Sequence, residues 1–190
     1  MNEQEFRDLK ANAVEELFLV GKCYGTGDGV GRDEVEAVRW YRMAAEHGSA
    51  EAMFELNKCY SSGIGVRRNR ATASKWLSMA AERGHARAMV LIGKRCMLDY
   101  EADFNPRKAA RLFRQAAEKG DAWGMFYLGE CFLDGIGVKK DYDAAYLWFC
   151  RAALAAPDDE ALYHSVQDQI NDPNLKDVRD SIKNTPSLPR

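Results

Sequence analysis

Apolar and polar positions along the chain follow a helical rhythm, and the rhythm is copied. Leu17, Val20 and Tyr24 stand three and four residues apart, as do Met53, Leu56 and Tyr60, then Met89, Ile92 and Cys96, then Met125, Leu128 and Phe132. Such offsets place the three side chains on one face of a helix, here named A. Each copy continues with a second stripe: Ala37, Trp40 and Ala44, then Ala73, Trp76 and Ala80, then Ala109, Leu112 and Ala116, then Ala145, Trp148 and Ala152. Bulky and small residues alternate on it. This is helix B, predicted over 34–47, 70–83, 106–119 and 142–154. The columns repeat every 36 residues without insertion or deletion, and a fixed period in the range of about 20–50 denotes stacked supersecondary units.

The ends of helix B are written independently of its stripe. Asp33, Asn69, Asn105 and Asp141 occupy one column, and their side chains accept hydrogen bonds from the orphan N–H groups of a first turn. Pro106 follows at the first helical position, where a missing N–H is harmless. Gly48, Gly84 and Gly120 supply the left-handed conformation that closes a helix. Between A and B runs a loop written GDGVGRD, GIGVRRN and GIGVKKD; the third copy replaces it with MLDYEADFNP at the same length. Gly21, Gly93 and Gly129 sit inside helix A, where glycine costs about 1 kcal/mol relative to alanine. Three copies of that cost predict close helix-to-helix approach, with Asn57 as the exception.

The pattern L-G-x-x-Y, G-x-G-V, a capping Asp or Asn, A-x-x-W and A-A-x-x-G at 36-residue spacing resembles the Sel-one-like repeat, a longer relative of the tetratricopeptide unit. The resemblance covers about 13–156. It implies an all-α fold: a right-handed α/α solenoid of four repeats, 13–48, 49–84, 85–120 and 121–156, with capping helices. A cap at 1–12 would cover the front. After Pro157, the faces Leu162, Val166, Ile170 and Leu175, Val178, Ile182 predict capping helices over 157–184, because the end of a stack otherwise leaves apolar surface in water. The tail 185–190 is expected to be disordered.

Composition narrows the function more by exclusion than by assertion. With 46% hydrophobic residues, 29% charged residues and a net charge of −2, nothing in the overall balance points to nucleic acid. The opening MNEQEFRDLK has no apolar run of membrane-spanning or secretory type, so the cytoplasm and no membrane partner are expected. Cys23, Cys59 and Cys131 share a column, and neighbours one repeat apart lie about 10 Å from each other, beyond disulfide reach. They are expected to be packed thiols.

Several chemical motifs fail on their own terms. The stretch Gly25–Gly31 does not fit G-x-G-x-x-G and follows a helix instead of a strand. Asp99, Glu101 and Asp103 imitate the front of a calcium loop, but Phe104 and Ala110 stand where glycine and glutamate are needed. Arg67, Arg68 and Arg70 form a basic loop without a broad basic face. His47, His85 and His164 lack metal-ligand spacing, and no nucleophile or zincin motif is present. No cofactor, metal site or catalytic residue is assigned, and the chain is expected not to be an enzyme.

Recognition is expected on the A helices, which line the concave wall of tetratricopeptide-like stacks. Columns there vary: Glu15, Glu51, Arg87 and Trp123; Leu19, Glu55, Leu91 and Tyr127; Lys22, Lys58, Lys94 and Glu130. The candidate partner-binding residues are Arg87, Leu91, Lys94, Trp123, Tyr127 and Glu130, a mixture of apolar anchors and charge suited to a peptide. Trp123 and Tyr127 have a second reading, as side chains packed beneath the C-terminal helices. The function this implies is a scaffold or adaptor that binds a protein or peptide segment. The alternatives are a small-molecule or cell-wall-fragment hydrolase or binder, akin to cysteine-rich relatives of the family, and a self-assembling structural protein.

Overall fold

The computed structural model describes the backbone of residues 3–98 and 104–183, with side chains over 13–98 and 104–181. Among the described residues the regular structure is entirely helical: α1 (Glu3–Thr26), α2 (Glu34–Glu46), α3 (Ala50–Ser62), α4 (Arg70–Glu82), α5 (Ala86–Arg95), α6 (Pro106–Glu118), α7 (Ala122–Asp134), α8 (Tyr142–Ala155), α9 (Glu160–Ile170), a 3₁₀ turn (Pro173–Leu175) and α10 (Lys176–Lys183). Helix B is therefore α2, α4, α6 and α8, each within one residue of its predicted bounds. Helix A is the later part of α1, then α3, α5 and α7. The fold is an all-α repeat with four repeats.

The capping column behaves as its chemistry requires. Asp33 accepts from the Val35 and Glu36 amides, Asn69 from Thr72, Asn105 from Lys108 and Asp141 from Ala144, at 2.9–3.0 Å. The chain divides into two compact units, Met1–Ala88 and Met89–Arg190. In the first, α1 packs on α2, α2 on α3 and α3 on α4; in the second, α6 packs on α7, α7 on α8, and α8 on α9.

Gly21, Gly93 and Gly129, inside helix A, are explained by rings. A methyl group on Gly21 would stand 2.7 Å from Tyr41 Cδ1, one on Gly93 2.6 Å from Phe113 Cε1, and one on Gly129 2.6 Å from Phe149 Cε1. Phe113 and Phe149 are fully buried. In the second repeat both partners change together: Leu77 replaces the ring, and Asn57 fills the space and donates from Nδ2 to the Ala73 carbonyl at 2.9 Å. The buried amide is thereby satisfied, which a bare polar group at this depth would not be.

The second glycine of the loop has a different task. At Gly65, with φ of +65°, a Cβ would come 2.0 Å from the carbonyl oxygen of Glu34, the first residue of α2; at Gly137 it would come 2.2 Å from that of Pro106, the first of α6. The loops of the second and fourth repeats thus lie backbone to backbone on the start of helix B in the preceding repeat.

One expectation changes. The N-terminal cap over 1–12 is not a separate helix, since α1 runs unbroken from Glu3 to Thr26. No glycine or proline interrupts the sequence before Gly21, so nothing stops the helix. The acidic loop residues Asp99, Glu101 and Asp103 lie outside the described residues, as does the 185–190 tail. At the other end, α8 stops at Ala155, and Leu162, Val166 and Leu175 are fully buried against Phe149 and Ala152. No described helix is long and apolar enough to cross a membrane.

Candidate functional site

Helix A side chains in the second unit gather around one ring. Tyr127 stacks on Phe113 with centroids 5.2 Å apart and on Trp123 at 5.9 Å, and the Lys94 ammonium from α5 sits 4.9 Å from the Tyr127 centroid. A cation held over an aromatic face in this way is attracted by the ring quadrupole. Trp123 is half-buried, and its indole N–H donates to Asp159 Oδ2 at 2.9 Å. Asp159 also accepts from the Leu162 amide through Oδ1, so one carboxylate caps α9 and ties it to α7.

Glu130 completes this arrangement. Burial pushes its carboxyl up to about 7, Asp134 one turn further along α7 adds to the rise, and Lys94 opposes it. Gln169 of α9 donates to it at 3.4 Å. Of the predicted residues, the structure thus brings Lys94, Trp123, Tyr127 and Glu130 together. Leu91 is half-buried on α5, and Arg87 is half-buried in the first turn of that helix, within the first unit.

A cavity of about 400 Å³ opens in the first unit, away from every residue chosen from the sequence. Its apolar surface comes from Phe18, Tyr41 and Ile64, and its charges from Lys22, Arg32, Glu34, Glu55 and Lys58. Four of the five are spoken for: Arg32 pairs with Glu34 and Lys58 with Glu55, both at 2.6 Å. Lys22 has no ion-pair partner among the described residues. Burial, then the nearby Glu55, pushes the Tyr41 phenol up to about 12, so the ring stays neutral at physiological pH. Lys22, Glu55 and Lys58 belong to the variable columns, but the recess depends on where the loop residue Ile64 and the helix B ring Tyr41 meet them. Column variation alone carries no sign of that.

Three of the thiols sit where ionisation is disfavoured. Burial pushes Cys59 and Cys150 up, and Cys131, fully buried beside Glu130 and Asp134, up to about 12. A thiolate is the reactive form, and these environments suppress it.

Paired helices recurring every 36 residues, with helix B capped by Asp or Asn and the turns hinged by glycine, define an α/α repeat protein. The Sel1 repeat family model matches residues 17–49, 50–85, 86–121 and 124–156, and the chain belongs to the Sel1 repeat family. Among solved structures it is similar to a Sel1 repeat protein from Oxalobacter formigenes, at 34% identity and a TM-score of 0.65 over 74% of this chain. It is also similar to c5321, a protective antigen of uropathogenic Escherichia coli strains with an SLR fold, at 30% identity and a TM-score of 0.64 over 74% of this chain. These alignments span 58% and 30% of the two structures' own chains. No curated protein matches the sequence. Sel1 repeat proteins generally serve as protein-interaction scaffolds and are generally non-catalytic.

Proposed function

We propose that this chain is a non-catalytic interaction scaffold whose A helices receive a segment of a partner protein. The observation that carries the reading is the recess of about 400 Å³ in the first unit, with Phe18, Tyr41 and Ile64 as its apolar lining and Lys22 at its edge. An apolar side chain of the partner fills such a space while a neighbouring carboxylate meets the lysine, the combination of burial and orientation that concentrates binding energy in a few contacts. In the second unit, Leu91 and the Lys94–Tyr127 pair provide a second point of attachment of the same chemical type.

The test compares partner capture by the wild type, by the wall variant Lys22→Glu/Lys94→Glu, and by a helix B control, Lys75→Glu/Arg111→Glu. All four residues are exposed, so each variant keeps its fold, as thermal unfolding will confirm. Loss of partners with the wall variant alone is the expected result. Loss with the control alone would move recognition to the B helices and overturn the reading.

A further inference from the structure

A second recess in the first unit, of about 520 Å³, is lined by Arg42, Tyr60, Val66, Arg67, Arg68 and Asn69. Three guanidinium groups border it, and none of them has a carboxylate in ion-pair distance among the described residues. Comparison with the other repeats shows how unusual that is. In the first repeat the residue equivalent to Arg68 is Arg32, which pairs with Glu34 at 2.6 Å. In the fourth it is Lys140, whose ammonium lies 5.7 Å from the Tyr142 ring. Thirty-six residues on from Glu34 stands Arg70, so the second repeat substitutes another cation for the balancing carboxylate.

The fold does not ask for this charge. Arg42 has Ser78 and Cys150 in two of its three equivalent positions, and Arg67 has Gly31 and Asp103. Like charges lining one recess repel unless an anion sits among them. Tyr60 is already oriented for one: its hydroxyl accepts from Arg42 Nη2 at 2.6 Å, which fixes that guanidinium and leaves the phenolic O–H free to donate. The N-terminus of α4, whose first residue follows Asn69, adds its positive dipole end on the same side.

We propose that this recess is an oxyanion site for a single dianionic phosphoryl group, held by Arg42, Arg67 and Arg68 with the Tyr60 hydroxyl as a fourth donor. One guanidinium fork suffices for a carboxylate; several converging on one recess suit a doubly charged group with three acceptor oxygens. A nucleic-acid backbone would require basic residues continuing beyond the recess, and the chain carries a net charge of −2. The assignment stands apart from the wall reading, because its arginines come from the loop and helix B, and Tyr60, though on helix A, is not one of the wall residues.

The experiment is a set of titrations followed by amide and arginine side-chain NMR at constant ionic strength. The probes are inorganic phosphate, phenyl phosphate, diethyl phosphate, and the peptide Ala-Ala-phosphoserine-Ala-Ala beside its unphosphorylated twin. Saturable shifts confined to the recess are expected with the dianions, with diethyl phosphate weaker by about tenfold. Arg67→Gln/Arg68→Gln should weaken the dianions by about tenfold or more, and Tyr60→Phe by less. A phosphopeptide that binds more tightly than inorganic phosphate identifies a phosphorylated protein segment as the source; equal affinity identifies a small phosphate. Small unsaturable shifts spread over all basic residues would overturn the site. So would diester and dianion binding equally, or a uridine decanucleotide perturbing a wider surface while the dianions stay silent.

Discussion

Phe149 lies so close over Gly129 that a single added methyl would stand 2.6 Å from its ring, and the same pairing holds between Gly93 and Phe113. Gly129→Ala trades a gain of about 1 kcal/mol in helix propensity against overpacking of about 1–3 kcal/mol in a fully buried contact. We expect net destabilisation on urea unfolding. The second repeat supplies the control, since Asn57 and Leu77 occupy the same two columns. Gly129→Asn/Phe149→Leu should be more stable than Gly129→Asn alone, and absence of any rescue would mean that the ring is not what demands the glycine.

Asp159 joins two functions in one carboxylate, capping α9 and accepting from Trp123. Asp159→Ala should lower stability by about 0.5–2 kcal/mol, the usual effect of losing an N-cap. Tryptophan emission should shift to the red as the indole loses its partner. An unchanged emission spectrum would place Trp123 in the same environment with and without α9's cap.

Glu130 predicts a pH dependence with a definite sign. Its folded value of about 7 lies above the ordinary 4.5, so the folded state binds the proton more tightly than the unfolded one. The stability this confers is complete below about pH 4.5 and disappears as pH rises through 7. Glu130→Gln should therefore be the more stable protein at pH 8 and should flatten the profile between those limits. Lys94→Met, which removes the opposing charge, should move the midpoint higher. Thermal melts across pH 4–9 read both effects, and a wild-type profile parallel to that of Glu130→Gln would remove the carboxyl from the account.

Cys131 should be silent toward alkylation in the native state. Its thiol is fully buried and held up to about 12, so iodoacetamide at pH 8 reaches it only through unfolding. Peptide mapping should find it unmodified under native conditions and fully modified in urea.

The sequence spelled out the helices far better than the surfaces. Helix B was legible to within a residue because its start, stripe and end are three separate signals: Asp33 and its equivalents, the alanine columns, and Gly48 and its equivalents. The alternation of Gly129 with Phe149 was legible only in half, as a glycine awaiting an unknown neighbour. Tyr60 and Arg42 are 18 residues apart and on different helices, and only the packing of α2 on α3 brings the hydroxyl to the guanidinium. The recess around Lys22 is invisible in the repeat register for the same reason. A repeat register states which residues are equivalent; it does not state which unequal residues converge.

The loop glycines allow the contact between repeats to be separated from the conformation it uses. Gly29 and Gly65 occupy equivalent positions with φ of +74° and +65°, so alanine at either meets a left-handed backbone penalty of about 1–2 kcal/mol. Their surroundings differ completely. Nothing stands within 4 Å of a Cβ on Gly29, whereas one on Gly65 would lie 2.0 Å from the Glu34 carbonyl oxygen. Gly29→Ala should show the conformational penalty alone, and Gly65→Ala that penalty plus the displacement of the loop from α2, a further loss of about 1–3 kcal/mol. The excess measures how tightly the second repeat's loop is seated on the first repeat's helix B. Equal destabilisation of the two variants in paired urea melts would show that the loop yields freely, and that the glycine is there for its φ angle only.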